Sequence, residues 1–173
     1  MTPLEKYQQD LKRADFHYDA AQEDAVKQLQ RLFDDYIKRP QHKPSLWQRL
    51  SGKVETPQPL LGLYFWGGVG RGKTYLVDTF YECLPTSRKM RIHFHRFMHK
   101  VHEELTALAG QQNPLELVAD RFKQQTDIIC FDEFFVSDIT DAMILGTLMQ
   151  ALFARGITLV ATSNIEPDGL YKN

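Results

Sequence analysis

The sequence predicts a three-layer α/β fold, with a parallel sheet between two layers of helices and an anion site at the C-terminal edge of its strands. Three observations carry that reading. The apolar run Leu60-Leu61-Gly62-Leu63-Tyr64-Phe65-Trp66 breaks into Gly67-Gly68-Val69-Gly70-Arg71-Gly72-Lys73-Thr74 and then into Tyr75-Leu76-Val77-Asp78-Thr79-Phe80. This is strand, glycine-rich turn and helix in the order of the GxxxxGK[ST] phosphate loop. Further on, Asp127-Ile128-Ile129-Cys130-Phe131-Asp132-Glu133 is an apolar run ending in two carboxylates, as expected of a strand buried on both faces whose tip holds ligand groups. Between and after these runs, strand-like and helix-like patterns alternate, which a parallel sheet with right-handed crossovers requires.

The composition bounds the answer without deciding it. With 173 residues, 43% of them hydrophobic and 25% charged, the chain is long enough for one good core and is expected to be a single domain. A net charge of -1 supplies no overall field for a nucleic-acid backbone or an anionic membrane. No nucleic-acid partner is expected. Cys83 and Cys130 show no metal-ligand spacing, and two such cysteines favour a reducing cytoplasm. The first residues lack a signal-peptide core, and no apolar run approaches the ~20 residues of a membrane span. The expectation is a soluble protein, with a peripheral visit to a membrane left open.

In chain order, residues 1–39 read as a polar-surfaced helical segment in which Val26, Leu29, Phe33, Tyr36 and Ile37 form one apolar stripe. Asp19 and Gln22 have the form of a capping box with Phe16 and Tyr18 packing its entry; the same glutamine and aromatics are also candidates for an adenine contact. Residues 40–59 carry Pro40, Pro44, Pro57 and Pro59 with Gly52 and read as a connection, with Leu46, Trp47 and Leu50 marking one amphipathic turn. Residues 60–173 make up the nucleotide-binding core.

Within that core the glycines let backbone N–H groups turn toward phosphate oxygens while the next helix points its positive end at the same anion. Lys73 is placed to charge-neutralise the β and γ phosphates, and Thr74 to offer Mg²⁺ a hydroxyl. After Pro85, Arg88 to His95 alternates as a strand with Arg91, His93 and His95 on one side. A helix carrying Phe97, Val101, Leu105 and Leu108 and a shorter one carrying Leu115, Val118, Ala119 and Phe122 follow. His93, His95, His99 and His102 lie close together and are weighed both as a zinc site and as a hydrogen-bonded polar face. Asp132 then serves Mg²⁺ through water, and Glu133 is the candidate to orient or deprotonate the attacking water. A helix from Asp138 to Arg155 leads to the strand Ile157-Thr158-Leu159-Val160-Ala161-Thr162 and to Ser163-Asn164. Asn164 is a candidate for a hydrogen bond to the γ-phosphate or to the water, or for the start of a turn.

Taken together, the residues resemble the core of an AAA+ P-loop NTPase, and more narrowly the ZapE family, bacterial relatives of a mitochondrial AAA+ ATPase of inner-membrane protein quality control. The blocks behind that resemblance are Asp19-Ala20-Ala21-Gln22, Gly67 to Thr74, Arg91-Ile92-His93-Phe94-His95-Arg96-Phe97-Met98, Phe131-Asp132-Glu133-Phe134 and Asp138-Ile139-Thr140-Asp141-Ala142-Met143-Ile144-Leu145. The resemblance implies that Gly67, Gly68, Val69, Gly70, Arg71, Gly72, Lys73 and Thr74 bind ATP, that Asp132 and Glu133 serve Mg²⁺ and hydrolysis, and that Asn164 is the sensor. It further implies a role in cell division through association with the FtsZ ring near the inner membrane, and self-association into a ring.

The family continues past Asn164 with a fifth strand, an arginine finger and a helical lid, so the resemblance implies a chain truncated before the lid. Neither Arg71 nor Arg155 fits the finger position. Phe97 and Met98 follow the second strand, where AAA+ proteins that thread polypeptide carry an aromatic and apolar loop. Phe97 shares the stripe of Val101 and Leu105 and reads as core, whereas Met98, beside Arg96 and His99, is the candidate for a flexible contact with partners. Two rival functions remain at this stage: a small-molecule kinase on the same phosphate loop, and a nucleotide-dependent scaffold or helicase-loader-like protein. Glu133 beside Asp132 argues against the kinase, and the near-neutral charge against a DNA partner.

Overall fold

The computed structural model describes residues 1–38, 62–66, 71–136 and 138–163, with backbone alone at 66 and 71–73. The predicted connection 40–59, the loop residues 67–70 and Asn164 lie outside the described residues.

The N-terminal segment forms two helices, and the second, which starts after Asp19 as its capping pattern predicts, carries the apolar stripe. Helix α1, Pro3–Asp10, starts on Thr2, whose hydroxyl accepts from the Glu5 amide, with Pro3 in the first turn. Helix α2, Ala20–Lys38, starts afresh on Asp19, whose carboxylate accepts from the Ala21 amide at 2.9 Å. A residue that caps a new helix must leave helical geometry, so no helix runs through it. Tyr18 points to solvent and donates to Glu23, while Phe16 packs on Tyr7 and Tyr75. Phe16 alone therefore closes the entry. Val26, Leu29 and Phe33 are buried as the stripe predicts, joined by Leu32, and Ile37 is exposed.

Strand β1, Leu63–Trp66, precedes helix α3, Arg71–Cys83; β2, Lys89–His93, passes directly into α4, Phe94–Ala107; α5, Pro114–Gln125, precedes β3, Ile128–Asp132; and α6, Ile139–Ala154, precedes β4, Thr158–Ser163. Among the described residues the sheet has four strands in the order β1-β4-β3-β2, all parallel. Strand β2 is shorter than the alternation predicts, because Phe94 turns into the core as the first residue of α4. His95 consequently leaves the face of Arg91 and His93 and lies exposed on a helix.

Both faces of the sheet are covered, and β3 shows how. Ile128 and Cys130 sink into a core built from α1, α2 and α3, with Tyr7, Leu29, Val77 and Phe80, whereas Ile129 and Phe131 sink into a second core built from α4, α5 and α6. The strand is apolar throughout because both of its faces are interior. In the second core Phe94, Phe97, Phe122, Phe131 and Phe134 form a contiguous aromatic cluster, with Phe97 centred 4.7 Å from Phe131 and 5.1 Å from Phe122. Met98 is only 5% exposed and belongs to the same core. That corrects its assignment as a partner-facing side chain: on a helix clamped between sheet and α5, the positions beside the main stripe are also interior.

Helix α6 is capped by Asp138, which accepts from the Thr140 and Asp141 amides. Leu145, Leu148, Ala151 and Leu152 face inward, while Ile139 and Met143 are exposed.

The N-terminal edge of the sheet is fastened by one arginine. Arg88 Nε donates to Asp127 at 2.9 Å, and its other nitrogens donate to the Lys123 and Gln124 carbonyls that end α5. Gly62, just before β1, lies so close to β4 that a Cβ there would stand 2.2 Å from the Leu159 carbonyl oxygen. The sheet admits no side chain at that point.

Candidate functional site

All four strands point their C-terminal ends the same way, and of the predicted site the described residues at that edge are Thr74, at the start of α3, and Asp132 and Glu133, at the end of β3. Helix α3 begins at Arg71, so Gly72, Lys73 and Thr74 form its first turn, which contains no acidic residue to offset the positive end of the helix. Thr74 is exposed. The loop residues Gly67, Gly68, Val69 and Gly70 lie outside the described residues, as do the side chains of Arg71 and Lys73 and all of Asn164; Ser163, immediately before it, ends the buried strand β4.

Asp132 is the last residue of β3, and its register partner is His93. It shares the face of Cys130 and so looks toward α3. Both of its oxygens are held by Arg91, from Nε at 2.8 Å and from Nη2 at 3.2 Å, and the third nitrogen of the same guanidinium, Nη1, donates to Asp78 of α3. The hydrogen bonds to Asp132 hold the Arg91 guanidinium above its ordinary value, with burial opposing them. The two carboxylates thus share one permanently charged fork.

Glu133 follows with φ of 55°, the left-handed region that non-glycine residues enter mainly at turns and functional sites. The backbone around it explains why. The Phe134 amide donates to the Thr162 carbonyl at 2.8 Å, and the Ser163 hydroxyl donates to the Phe134 carbonyl at 2.6 Å. The chain is therefore folded back onto β4 one residue after β3 ends, and Glu133 is thrown outward, its side chain 82% exposed and 3.8 Å from His93 Nδ1. That position suits a group meant to meet water.

The histidines disperse. His93 faces Glu133, His99 pairs with Glu103 one turn along α4, and His102 Nε2 lies 2.7 Å from Asp141 on α6. Among the described residues no group of three or more His, Cys, Asp and Glu converges as a metal cage. The available donors, a hydroxyl on Thr74 and a carboxylate on Asp132, are hard oxygens of the kind that Mg²⁺ accepts when phosphates and water complete its shell. Both cysteines are free, and burial pushes the Cys130 thiol up to about 12. It is a packing residue. Among the described residues no helix is long and apolar enough to cross a membrane.

Sequence reasoning missed Arg91 and Asp78 as members of the site. The signal was present: Arg91 stands mid-strand between the apolar Met90 and Ile92, where a charge partly withdrawn from water needs a partner, and Asp78 stands one helical turn beyond Thr74.

Known proteins resemble this chain along its whole length. The family model of the AFG1-like ATPase matches residues 1–173. The cell division protein ZapE of Escherichia coli strain K12 is 55% identical over the whole of this chain, which spans 48% of that protein's length. Among solved structures, AMPPCP-bound DnaA from Aquifex aeolicus superposes with a TM-score of 0.55 at 14% identity, over 90% of this chain and 42% of that one. The DnaI structure gives 0.53 at 17%, over 94% of this chain and 78% of that one. At such identities the two structures bear on the fold alone. By its full-length match to the family model and its identity to ZapE, the chain belongs to the AFG1-like ATPase family.

Proposed function

We propose that this chain is the nucleotide-binding part of a Mg²⁺-dependent ATPase, and that the longer protein acts in bacterial cell division through association with the FtsZ ring. The observation that supports the chemistry best is the strand order β1-β4-β3-β2. Only β4 separates β1, which leads into the glycine loop, from β3, which ends on Asp132, so both halves of a triphosphate site share one edge of a parallel sheet. In this reading Gly67, Gly68, Val69, Gly70, Arg71 and Gly72 cradle the phosphates, and Lys73 neutralises them. Thr74 and Asp132 hold Mg²⁺, which when bound offsets charge developing on the phosphoryl oxygens. Glu133 accepts the proton of the attacking water at its carboxylate, and Asn164 hydrogen-bonds the γ-phosphate or that water. Similarity to a cell division protein supports the cell-division role; a ring of subunits and a peripheral position at the inner membrane belong to the same proposal.

The roles divide cleanly in an experiment on the full-length protein. Lys73→Ala is expected to weaken binding of ATP, since the lysine meets phosphate in the ground state. Glu133→Gln is expected to leave binding in place and abolish phosphate release, because its role arises only when water attacks. Equal loss of affinity in both variants would overturn the assignment.

A further inference from the structure

Arg91 lies on the polar side of its alternating strand. Its neighbours Met90 and Ile92 pack into the second core, while Arg91 turns to the opposite face and there joins two separate elements, the tip of β3 at Asp132 and helix α3 at Asp78. The hold on Asp132 is two-pronged and the more buried of the two: the side chain of Asp132 is 16% exposed and that of Asp78 44%. A carboxylate that receives two charge-assisted hydrogen bonds from a planar fork is fixed in orientation and has much of its negative charge offset. A divalent cation drawn to the same carboxylate also meets the positive charge of the guanidinium.

We propose that Arg91 is a positioning residue that sets how strongly Asp132 attracts Mg²⁺, with Asp78 drawing the guanidinium the other way and so moderating its effect. The proposal rests on the Mg²⁺-nucleotide reading given above. It makes a prediction of sign. Taking away the guanidinium frees charge on Asp132, and the cation gains. Taking away the charge of Asp78 leaves the guanidinium to Asp132 alone, and the cation loses. A merely architectural link between β2, β3 and α3 would be weakened by either substitution, and both would move nucleotide binding in one direction.

The test is the ratio of dissociation constants for a fluorescent ATP analogue, mant-ATP, without and with Mg²⁺, in the full-length protein; that ratio is the coupling between cation and nucleotide. Arg91→Gln is expected to raise it about tenfold, as for a unit charge removed at near-contact distance from a half-buried site. Asp78→Asn is expected to lower it about threefold, its carboxylate being the more exposed and screened. Arg91→Lys, which keeps the charge and loses the two-pronged geometry, is expected to fall between wild type and Arg91→Gln. Should Arg91→Gln fail to fold, judged by its melting temperature, Arg91→Lys and Asp78→Asn still carry opposite expected signs. An unchanged ratio, or shifts of the same sign in the Arg91 and Asp78 variants, overturns the proposal while leaving nucleotide binding intact. Absence of any mant-ATP binding by the wild-type protein overturns the nucleotide reading and this inference with it.

Discussion

Replacing Phe97 by alanine is the sharpest probe of how the site edge is supported. The ring is fully buried, in contact with Phe131 of β3 and Phe122 of α5 and near Phe94, and Phe131 is the residue before Asp132. Removing it forfeits the transfer energy of a phenyl group and leaves a cavity that a clamped helix cannot close, a loss of about 3–5 kcal/mol. Against a total stability of about 5–15 kcal/mol, that is a large share. With about 2–4 °C per kcal/mol for a chain of this size, the melting temperature falls by about 6–20 °C. Urea unfolding followed by circular dichroism measures the free-energy loss, with the midpoint expected to move at constant slope, and thermal unfolding measures the fall in melting temperature. Met143→Ala is the control: 71% exposed on α6, it is expected to stay within about 0.5 kcal/mol of wild type. If Phe97→Ala cost less than about 1 kcal/mol, the ring would not be core, and the partner-facing loop that the sequence resemblance suggested would return.

Two further outcomes are expected. Gly62→Ala drives a methyl group into the Leu159 carbonyl and is expected to destabilise by about 1–3 kcal/mol, as overpacking does, with hydrogen exchange speeding first in β1 and β4; an unaffected β1 would refute the close approach. At Asp127 burial alone would raise the carboxyl, but hydrogen bonds from Arg88 and Lys123 together outweigh it and hold the group below its ordinary range. Its contribution is therefore present above the unfolded value near pH 4 and lost as pH falls through the lower folded one, so Asp127→Asn should flatten the decline in stability between about pH 5 and pH 3. An unchanged decline would assign acid sensitivity elsewhere.

Most of the architecture was legible because its signals are local. The strand and the helix that flank the glycine run are each written in their own residues, and the apolar run of β3 states by itself that both of its faces are interior. The helices α4 and α5 announce themselves by period. What was not legible depends on neighbours that no local pattern names. Met98 lies beside the stripe of Phe97 and Val101, and only the closeness of α5 makes its position interior. Asp19 marks a helix start, but that the residues before it form a separate helix depends on Leu4 and Tyr7 docking onto α2. The pairing of Arg91 with Asp132 and Asp78 joins residues from three elements, and the left-handed turn at Glu133 arises from the hold of β4 on the residue that follows it. The roles proposed for Lys73 and Asn164 rest on sequence, since neither side chain is among the described residues.

The alternation along β3 limits how this protein can change its length. Because Ile128 and Cys130 belong to one core and Ile129 and Phe131 to the other, deleting or inserting a single residue in the strand would exchange every side chain between two differently shaped interiors. The same slip would turn Asp132 from α3 toward α4, away from Arg91. Substitutions in this five-residue strand are graded in their cost, whereas a shift of frame within it is all-or-nothing. Length variation is therefore expected to be absorbed by the connections at its two ends, and a deletion scan through residues 126–136 should show its steepest loss of folded protein inside β3.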